Sequence, residues 1–332
     1  MTNSVAFLNG VGHEIVAGES ILDFSRRLQQ YIPTLCDDSR LDAFGSCRVC
    51  SVDVALTADG PRKVMASCHT PISAGMHVYT DSTRVEKLRK NIVELVLSDH
   101  PKDCGDCDSN LNCELQDVAA ATGVREIRFA KGRQSVDSLP EVSKDESHPY
   151  MRMDLSLCID CNRCIRACDE IQGEQVLSAV GRGFNSRIIK GQDVSFADSD
   201  CVSCGACAQT CPTGAITDVF RAKLTKTAET VRTVCSYCGV GCNLEVSVDD
   251  GKILSIAAPE DAEVNAGHTC LKGRYAWRFY NHPDRLSSPM VRIDGELQPV
   301  TWQYAFDYLA KRMRAIKNDH GSDALAGISS AR

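Results

Sequence analysis

The amino-acid sequence predicts an α+β fold, organised as a string of small modules held together by metal ligation. Three observations carry the prediction. Nineteen cysteines fall in tight groups along 332 residues. Short strand-like and helix-like patterns alternate between those groups. Two polar stretches without periodicity, 125–148 and 222–234, read as connectors. A chain of this length suggests about two ordinary domains. Metal ligation, however, supplies folding free energy that a small core cannot, so more and smaller units are expected.

Taken in order, Val5-Ala6-Phe7-Leu8 and Glu14-Ile15-Val16 flank the turn signal Asn9-Gly10 and predict a hairpin over 5–16. Ser20 can cap a helix through Ile21, Leu22, Phe24 and Leu28 that stops at Ile32-Pro33. A cysteine-bearing loop follows, then a strand at 51–56. Over 84–98, Val85, Leu88, Ile92, Leu95 and Val96 share one helical face. Pro101 disfavours helical geometry at His100, so this helix should end just before the histidine. Beyond Cys235, strands are expected at 244–248 and 253–257. Thr301 then caps a helix whose Trp302, Ala305, Phe306, Leu309, Met313 and Ile316 lie together, and 324–328 reads as the start of a buried strand. One internal repeat is visible: Cys158 to Cys168 and Cys201 to Cys211 share one spacing.

Composition narrows the chemistry. A net charge of −7, from 37 basic and 44 acidic residues, argues against nucleic acid as the main partner. Met1-Thr2-Asn3-Ser4-Val5 lacks the basic region and apolar core of a secretory signal. Arg26-Arg27 sits within the first amphipathic helix, which makes a twin-arginine signal the weaker reading. No apolar run approaches the roughly 18 residues of a membrane span. The cysteines are odd in number and separated by gaps of two and three residues, which favours metal ligands over disulfides. A reducing, cytoplasmic setting is expected.

The cysteines sort into five ligand sets. The first, Cys36-x10-Cys47-x2-Cys50-x17-Cys68, falls in a module predicted over 1–78. It follows a hairpin and helix as in plant-type ferredoxins and is expected to hold a 2Fe–2S cluster, although its first gap is ten residues rather than four. The second, Cys104-x2-Cys107-x5-Cys113, lies in a module over 79–124 and leaves a 4Fe–4S cubane one ligand short. His100, four residues before Cys104, is the candidate for the vacancy, with a water- or aspartate-ligated corner, through Asp103 or Asp106, as the alternative. A module over 149–220 carries two runs of the bacterial two-cluster pattern, in which each run's fourth cysteine serves the other cluster. Cys158, Cys161, Cys164 and Cys211 then hold one 4Fe–4S cluster, and Cys201, Cys204, Cys207 and Cys168 hold the other. Cys168 precedes Asp169 where the pattern has proline. The fifth set, Cys235-x2-Cys238-x3-Cys242-x27-Cys270, lies in a module over 228–286. Three clustered cysteines and one distant one depart from the paired knuckles of an all-cysteine zinc site and favour a fourth 4Fe–4S cluster.

The run Cys235-Ser236-Tyr237-Cys238-Gly239-Val240-Gly241-Cys242-Asn243-Leu244, with Cys270-Leu271-Lys272-Gly273-Arg274, resembles the N-terminal iron–sulfur domain of molybdenum/tungsten bis-pterin oxidoreductases. Asn281-His282-Pro283-Asp284-Arg285-Leu286 and Pro289-Met290-Val291-Arg292 resemble formate dehydrogenase sequence. With four cluster sets upstream, the whole chain resembles the large (α) subunit of cytoplasmic, NAD-dependent, multisubunit formate dehydrogenases. The first set, with its longer gap, resembles the 2Fe–2S head of the complex I large subunit and of iron-only hydrogenases.

The resemblance implies a function. The 235–270 cluster would lie nearest a Mo or W bis-pterin guanine dinucleotide, with Lys272 between them assisting electron transfer. Residues 287–332 would begin, incompletely, a molybdopterin-binding domain. Formate would be oxidised to CO2 elsewhere, and electrons would pass through this chain to flavin- and NAD-binding iron–sulfur subunits. All nineteen cysteines are assigned, so none remains to bind the catalytic metal and no catalytic residue is expected in this chain. Two alternatives stand beside this reading: the large subunit of a respiratory NADH dehydrogenase, a family that generally keeps only one of the two ferredoxin-like cubanes, and a non-catalytic multi-cluster electron-transfer module.

Overall fold

The computed structural model describes residues 4–101, 103–132, 144–220 and 228–328. Strands β1 (Val5–Leu8) and β2 (Val11–Glu14) form the expected hairpin, with Val5 opposite Glu14 and Leu8 opposite Val11. Asn9 and Gly10 take φ of 49° and 86°, the positive values a two-residue hairpin turn needs. Helix α1 (Ile21–Arg27) begins in a capping box, the Ser20 hydroxyl accepting from the Asp23 N–H and the Asp23 carboxylate from the Ser20 N–H. Strands β3 (Ser51–Ala55), β4 (Lys63–Ala66) and β5 (His77–Tyr79) complete a sheet of order β2-β1-β5-β3-β4, in which β1 and β5 run parallel. Ile21, Leu22 and Phe24 of α1 are buried against Ala6, Val52, Val54 and Val78, and Cys50 and Cys68 lie in the same core. Each of those large side chains contributes roughly 1.5–3 kcal/mol on burial.

Helix α2 (Thr83–Ser98) is capped by Ser82 and ends two residues before His100, where Pro101 predicts it should. Its buried face differs from the expected one. Val85, Arg89, Val93, Glu94 and Ser98 are buried, while Leu95 is 47% exposed. Two polar side chains turn inward because they are satisfied there: Arg89 donates to the carbonyls of Ser51 and Thr80, and Glu94 accepts the Arg128 guanidinium. Helix α3 (Glu114–Ala121) sets Leu115 and Val118 against Val93, Leu35 and Val49.

The 125–148 stretch is more than a tether. Arg128 anchors it to α2, and β6 (Lys144–Asp145) pairs with β7 (Met151–Asp154); residues 133–143 lie outside the described residues. The ferredoxin-like segment follows with α4 (Arg163–Arg166), a π-type turn at Ala167–Ile171, the hairpin β8 (Leu177–Val180) and β9 (Arg187–Lys190), α5 (Ala206–Thr210) and β10 (Ile216–Asp218). β10 pairs with β7, giving a sheet of order β10-β7-β6.

The second connector is also corrected. Residues 229–234 form strand β11 (Glu229–Val234), paired with β12 (Asn243–Asp249), which pairs with β13 (Lys252–Ala257). Residues 221–227 lie outside the described residues. After α6 (Leu271–Tyr275) come the hairpin β14 (Met290–Ile293) and β15 (Glu296–Pro299), then α7 (Trp302–His320), capped by Thr301. The expected strand at 324–328 does not form: Ser322–Ala324 is a 3-10 turn and Ile328 is fully exposed. A strand needs a partner for its backbone groups, and no described strand pairs with this segment. No described helix is long and apolar enough to cross a membrane.

Candidate iron–sulfur centres

The structure gathers the members of each expected set. In the first, the Cys47 N–H donates to the Cys36 sulfur at 3.5 Å, and the Cys50 and Cys68 sulfurs stand 3.4 Å apart. Cys47 and Cys50 bracket a turn at Arg48, whose φ is 60°, and Cys68 follows β4. A hydrogen bond from Cys47 holds the Cys36 thiol well below the usual range and raises Cys47; Cys68 does the same for Cys50 and is raised in turn. Thiolate character of this kind is what a metal ligand needs.

The second set lines one cavity of about 320 Å³. His100 enters it from the end of α2, Cys113 from the start of α3, and Cys104 and Cys107 from the loop between. The Cys107 sulfur accepts the Ser109 N–H at 3.4 Å. Asp103 and Asp106 line the same cavity.

The third and fourth sets lie in two separate cavities. One cavity is lined by Cys158, Cys161, Cys164 and Cys211, the other by Cys168, Cys201, Cys204 and Cys207. The repeat extends to the backbone. Asp160 and Ser203 take φ of 52° and 60°, and Asn162 and Gly205 take 60° and 76°. The turns at Asp160 and Ser203 aim amides at sulfur, the Asp160 N–H at Cys158 (3.5 Å) and the Ser203 N–H at Cys201 (3.4 Å), and the Ile216 N–H of β10 points at Cys211 (3.5 Å). Burial raises the Cys164 and Cys207 thiols strongly and pushes Cys161 up to about 12. Buried thiols in such a setting ionise readily only with a compensating cation, which cluster iron supplies.

In the fifth set, the Cys235 N–H donates to the Cys242 carbonyl at 2.8 Å and Cys270 directly precedes α6. Burial raises the Cys242 thiol, and the nearby Cys235, Cys270 and Cys238 sulfurs add to the effect. Lys272 lies on α6, exposed. Among the described residues, no three His, Cys, Asp or Glu side chains form a group that could hold a single metal ion.

Sequence reasoning missed the arginines that join these sets. Arg274, two residues past Lys272, is buried and reaches into the preceding module. It pairs with Asp218 at 2.9 Å and donates to Gln209 at 2.6 Å, while the Tyr275 hydroxyl donates to Asp218 at 2.9 Å. Arg274 and Tyr275 close over Gly205, where a Cβ would collide with the arginine Cδ and the tyrosine hydroxyl. The only hint in the sequence is the position of Arg274 in the Cys270-Leu271-Lys272-Gly273-Arg274 run.

Known families match along the chain. Residues 5–83 match a 2Fe-2S iron-sulfur cluster binding domain, 89–128 the NADH-ubiquinone oxidoreductase-G iron-sulfur binding region and 157–215 a 4Fe-4S dicluster domain. Residues 228–282 match the molybdopterin oxidoreductase Fe4S4 domain and 285–332 molybdopterin oxidoreductase. A subunit of the NADH-quinone oxidoreductase of Rhizobium meliloti (strain 1021) is 35% identical over 304 residues, 90% of this chain and 34% of that protein. A proposed formate dehydrogenase of Staphylococcus haemolyticus (strain JCSC1435) is 29% identical across 99% of this chain and 36% of its own length. The chain thus spans about a third of the curated relatives it matches. A chain of the crystal structure of NAD+-reducing [NiFe]-hydrogenase in the H2-reduced state superposes with a TM-score of 0.58 at 26% identity, covering 68% of this chain and 92% of that one.

Proposed function

We propose that this chain is the iron–sulfur portion of a molybdopterin-oxidoreductase large subunit and relays electrons through five clusters. The two crossed cysteine sets, each lining its own cavity, are the observation that carries this reading. Cys36, Cys47, Cys50 and Cys68 would hold a 2Fe–2S cluster. His100, Cys104, Cys107 and Cys113 would hold a 4Fe–4S cluster, and the crossed sets and the Cys235, Cys238, Cys242 and Cys270 set three more. Bound clusters supply one-electron oxidation and reduction. The chain's own residues fix their spacing, exclude water and direct amides at the sulfurs, which are among the means by which proteins tune such centres.

The parent reaction we propose is formate dehydrogenation. A Mo or W bis-pterin centre, held by parts of the protein beyond these residues, would supply the two-electron oxidation of formate to CO2 and a proton. Cys235, Cys238, Cys242 and Cys270 would hold the centre at which electrons enter, with Lys272 at that junction, and flavin- and NAD-binding subunits in the cytoplasm would receive them. Similarity to proposed formate dehydrogenases across 99% of the chain supports this, as do two complete ferredoxin-like sets. A second reading, a subunit of an NADH-quinone oxidoreductase, is favoured by the 35% identity to the Rhizobium meliloti protein.

Iron and sulfide analysis with EPR tests the relay. The ligand sets call for about eighteen iron atoms per chain; about two would sink the five-cluster reading. Formate-dependent reduction of the clusters in the full-length enzyme separates the two parent reactions, since an NADH-quinone oxidoreductase subunit would show none.

A further inference from the structure

The ten residues between Cys36 and Cys47, where the plant-type pattern has four, are gripped by the helix of another module. Arg166 of α4 is only 7% exposed, and its guanidinium donates to the carbonyls of Cys36 and Asp42 while lying 5.1 Å from the centre of the Phe44 ring. Glu170 accepts the Asp42 N–H at 2.7 Å. Arg163, 2% exposed, forks onto Glu114 at 2.6 and 2.7 Å and stands 3.9 Å from Asp38. Asp38 is itself forked by Arg40, which reaches Glu260 at 3.6 Å.

The two arginines of α4 differ in charge balance. Arg163 is neutralised by carboxylates. Arg166 makes no ion pair among the described residues; its bonds go to backbone carbonyls, one of them belonging to Cys36. It also lies two residues from Cys164, which lines the neighbouring cavity. A buried cation bonded to no carboxylate stabilises whichever nearby centre gains negative charge, and low local dielectric magnifies the effect. Reduction adds such a charge.

We propose that Arg166 is a positioning residue that couples the 2Fe–2S centre to the Cys158/Cys161/Cys164/Cys211 centre. Its bond to the Cys36 carbonyl fixes their separation, and its charge holds the 2Fe–2S potential up so that this centre accepts electrons from the cubane. The inference rests on the relay reading. It extends that reading by naming the residue that joins two of its centres, and the extended Cys36–Cys47 loop as the surface it grips.

The test is an EPR-monitored redox titration of the cluster-loaded full chain, unaltered and as R166Q and R166K. R166Q should lower the 2Fe–2S midpoint potential and leave the remote Cys235/Cys238/Cys242/Cys270 signal in place. R166K, which keeps the charge, should recover most of the shift. An unchanged 2Fe–2S potential in R166Q overturns the proposal, as does R166K falling as far as R166Q, which would mark packing alone. If R166Q fails to assemble the cluster, E170Q carries the test with the opposite sign. It removes an exposed negative charge from the same seam and should raise the 2Fe–2S potential; no rise overturns the proposal. An unaltered chain without any 2Fe–2S signal would defeat the relay reading itself, and this inference with it.

Discussion

His148 illustrates how a single side chain supports a cluster loop without touching sulfur. It is 5% exposed, and its Nδ1 accepts the N–H groups of Tyr150 and Met151, both at 3.1 Å. The neutral ring then carries its proton on Nε2, which donates to the Ser203 hydroxyl at 3.0 Å, between Cys201 and Cys204. Burial lowers its pKa, and Asp145 offsets this only in part. The folded value therefore lies below that of the unfolded chain, about 6.5. Stability from this group is fully present above about pH 6.5 and is lost as pH falls toward the folded value, because the unfolded chain takes up a proton that the folded one resists. The thermal unfolding midpoint of the unaltered chain should fall as pH drops from about 7.5 to about 5.5. His148→Gln should be less stable at the upper pH and should show a smaller fall across the window. Equal slopes in the two proteins would remove His148 as the source.

At the scale of elements, the doubled cysteine run folds as two copies of one turn, and the copies differ where their neighbours differ. Asn162 and Gly205 occupy the same left-handed position. Asparagine tolerates that region; only glycine also leaves room for Arg274 and Tyr275, which close over Gly205. Gly205→Ala should therefore cost more than the roughly 1–2 kcal/mol of left-handed strain, and should release about four iron atoms by emptying the Cys168/Cys201/Cys204/Cys207 site. Asn162→Gly should retain full iron. Matching iron contents in the two variants would show that the closure over Gly205 has no consequence. The repeat, the N-terminal hairpin and the capped helices were legible in the sequence because each rests on residues a few positions apart. The buried face of α2 was not, because Arg89 and Glu94 are satisfied by Ser51, Thr80 and Arg128 from distant elements. Strand β11 was missed although its Thr-Val-Arg-Thr-Val run is rich in β-branched residues; every position in it is exposed, so no alternation of burial marked it.

Over the whole molecule, the modules are joined by buried arginines more than by the connectors first read between them. Arg163 ties the ferredoxin-like module to α3, Arg166 ties it to the Cys36–Cys47 loop, and Arg274 ties the last cysteine module to it. The cysteine spacing announced which cysteines would gather, but apart from the run that holds Arg274 the local sequence did not announce these junctions, since each partner lies dozens of residues away. Arg274 and Asp218 are both largely buried, so their pairing has a distinctive energetic signature. Removing one partner strands the other charge away from water, which costs about 3–5 kcal/mol; removing both leaves no such charge. Arg274→Met alone and Asp218→Asn alone should each lower the denaturant midpoint and loosen the last two modules from one another. The double variant should be more stable than the sum of the two losses predicts, by a coupling of about 1–3 kcal/mol. Strictly additive losses would show that Arg274 holds the modules by packing on Gly205 and Tyr275 and not by charge. Retention of both cluster signals in the double variant, with slower electron passage between them, would place the contribution of this junction in the spacing of the centres and not in their assembly.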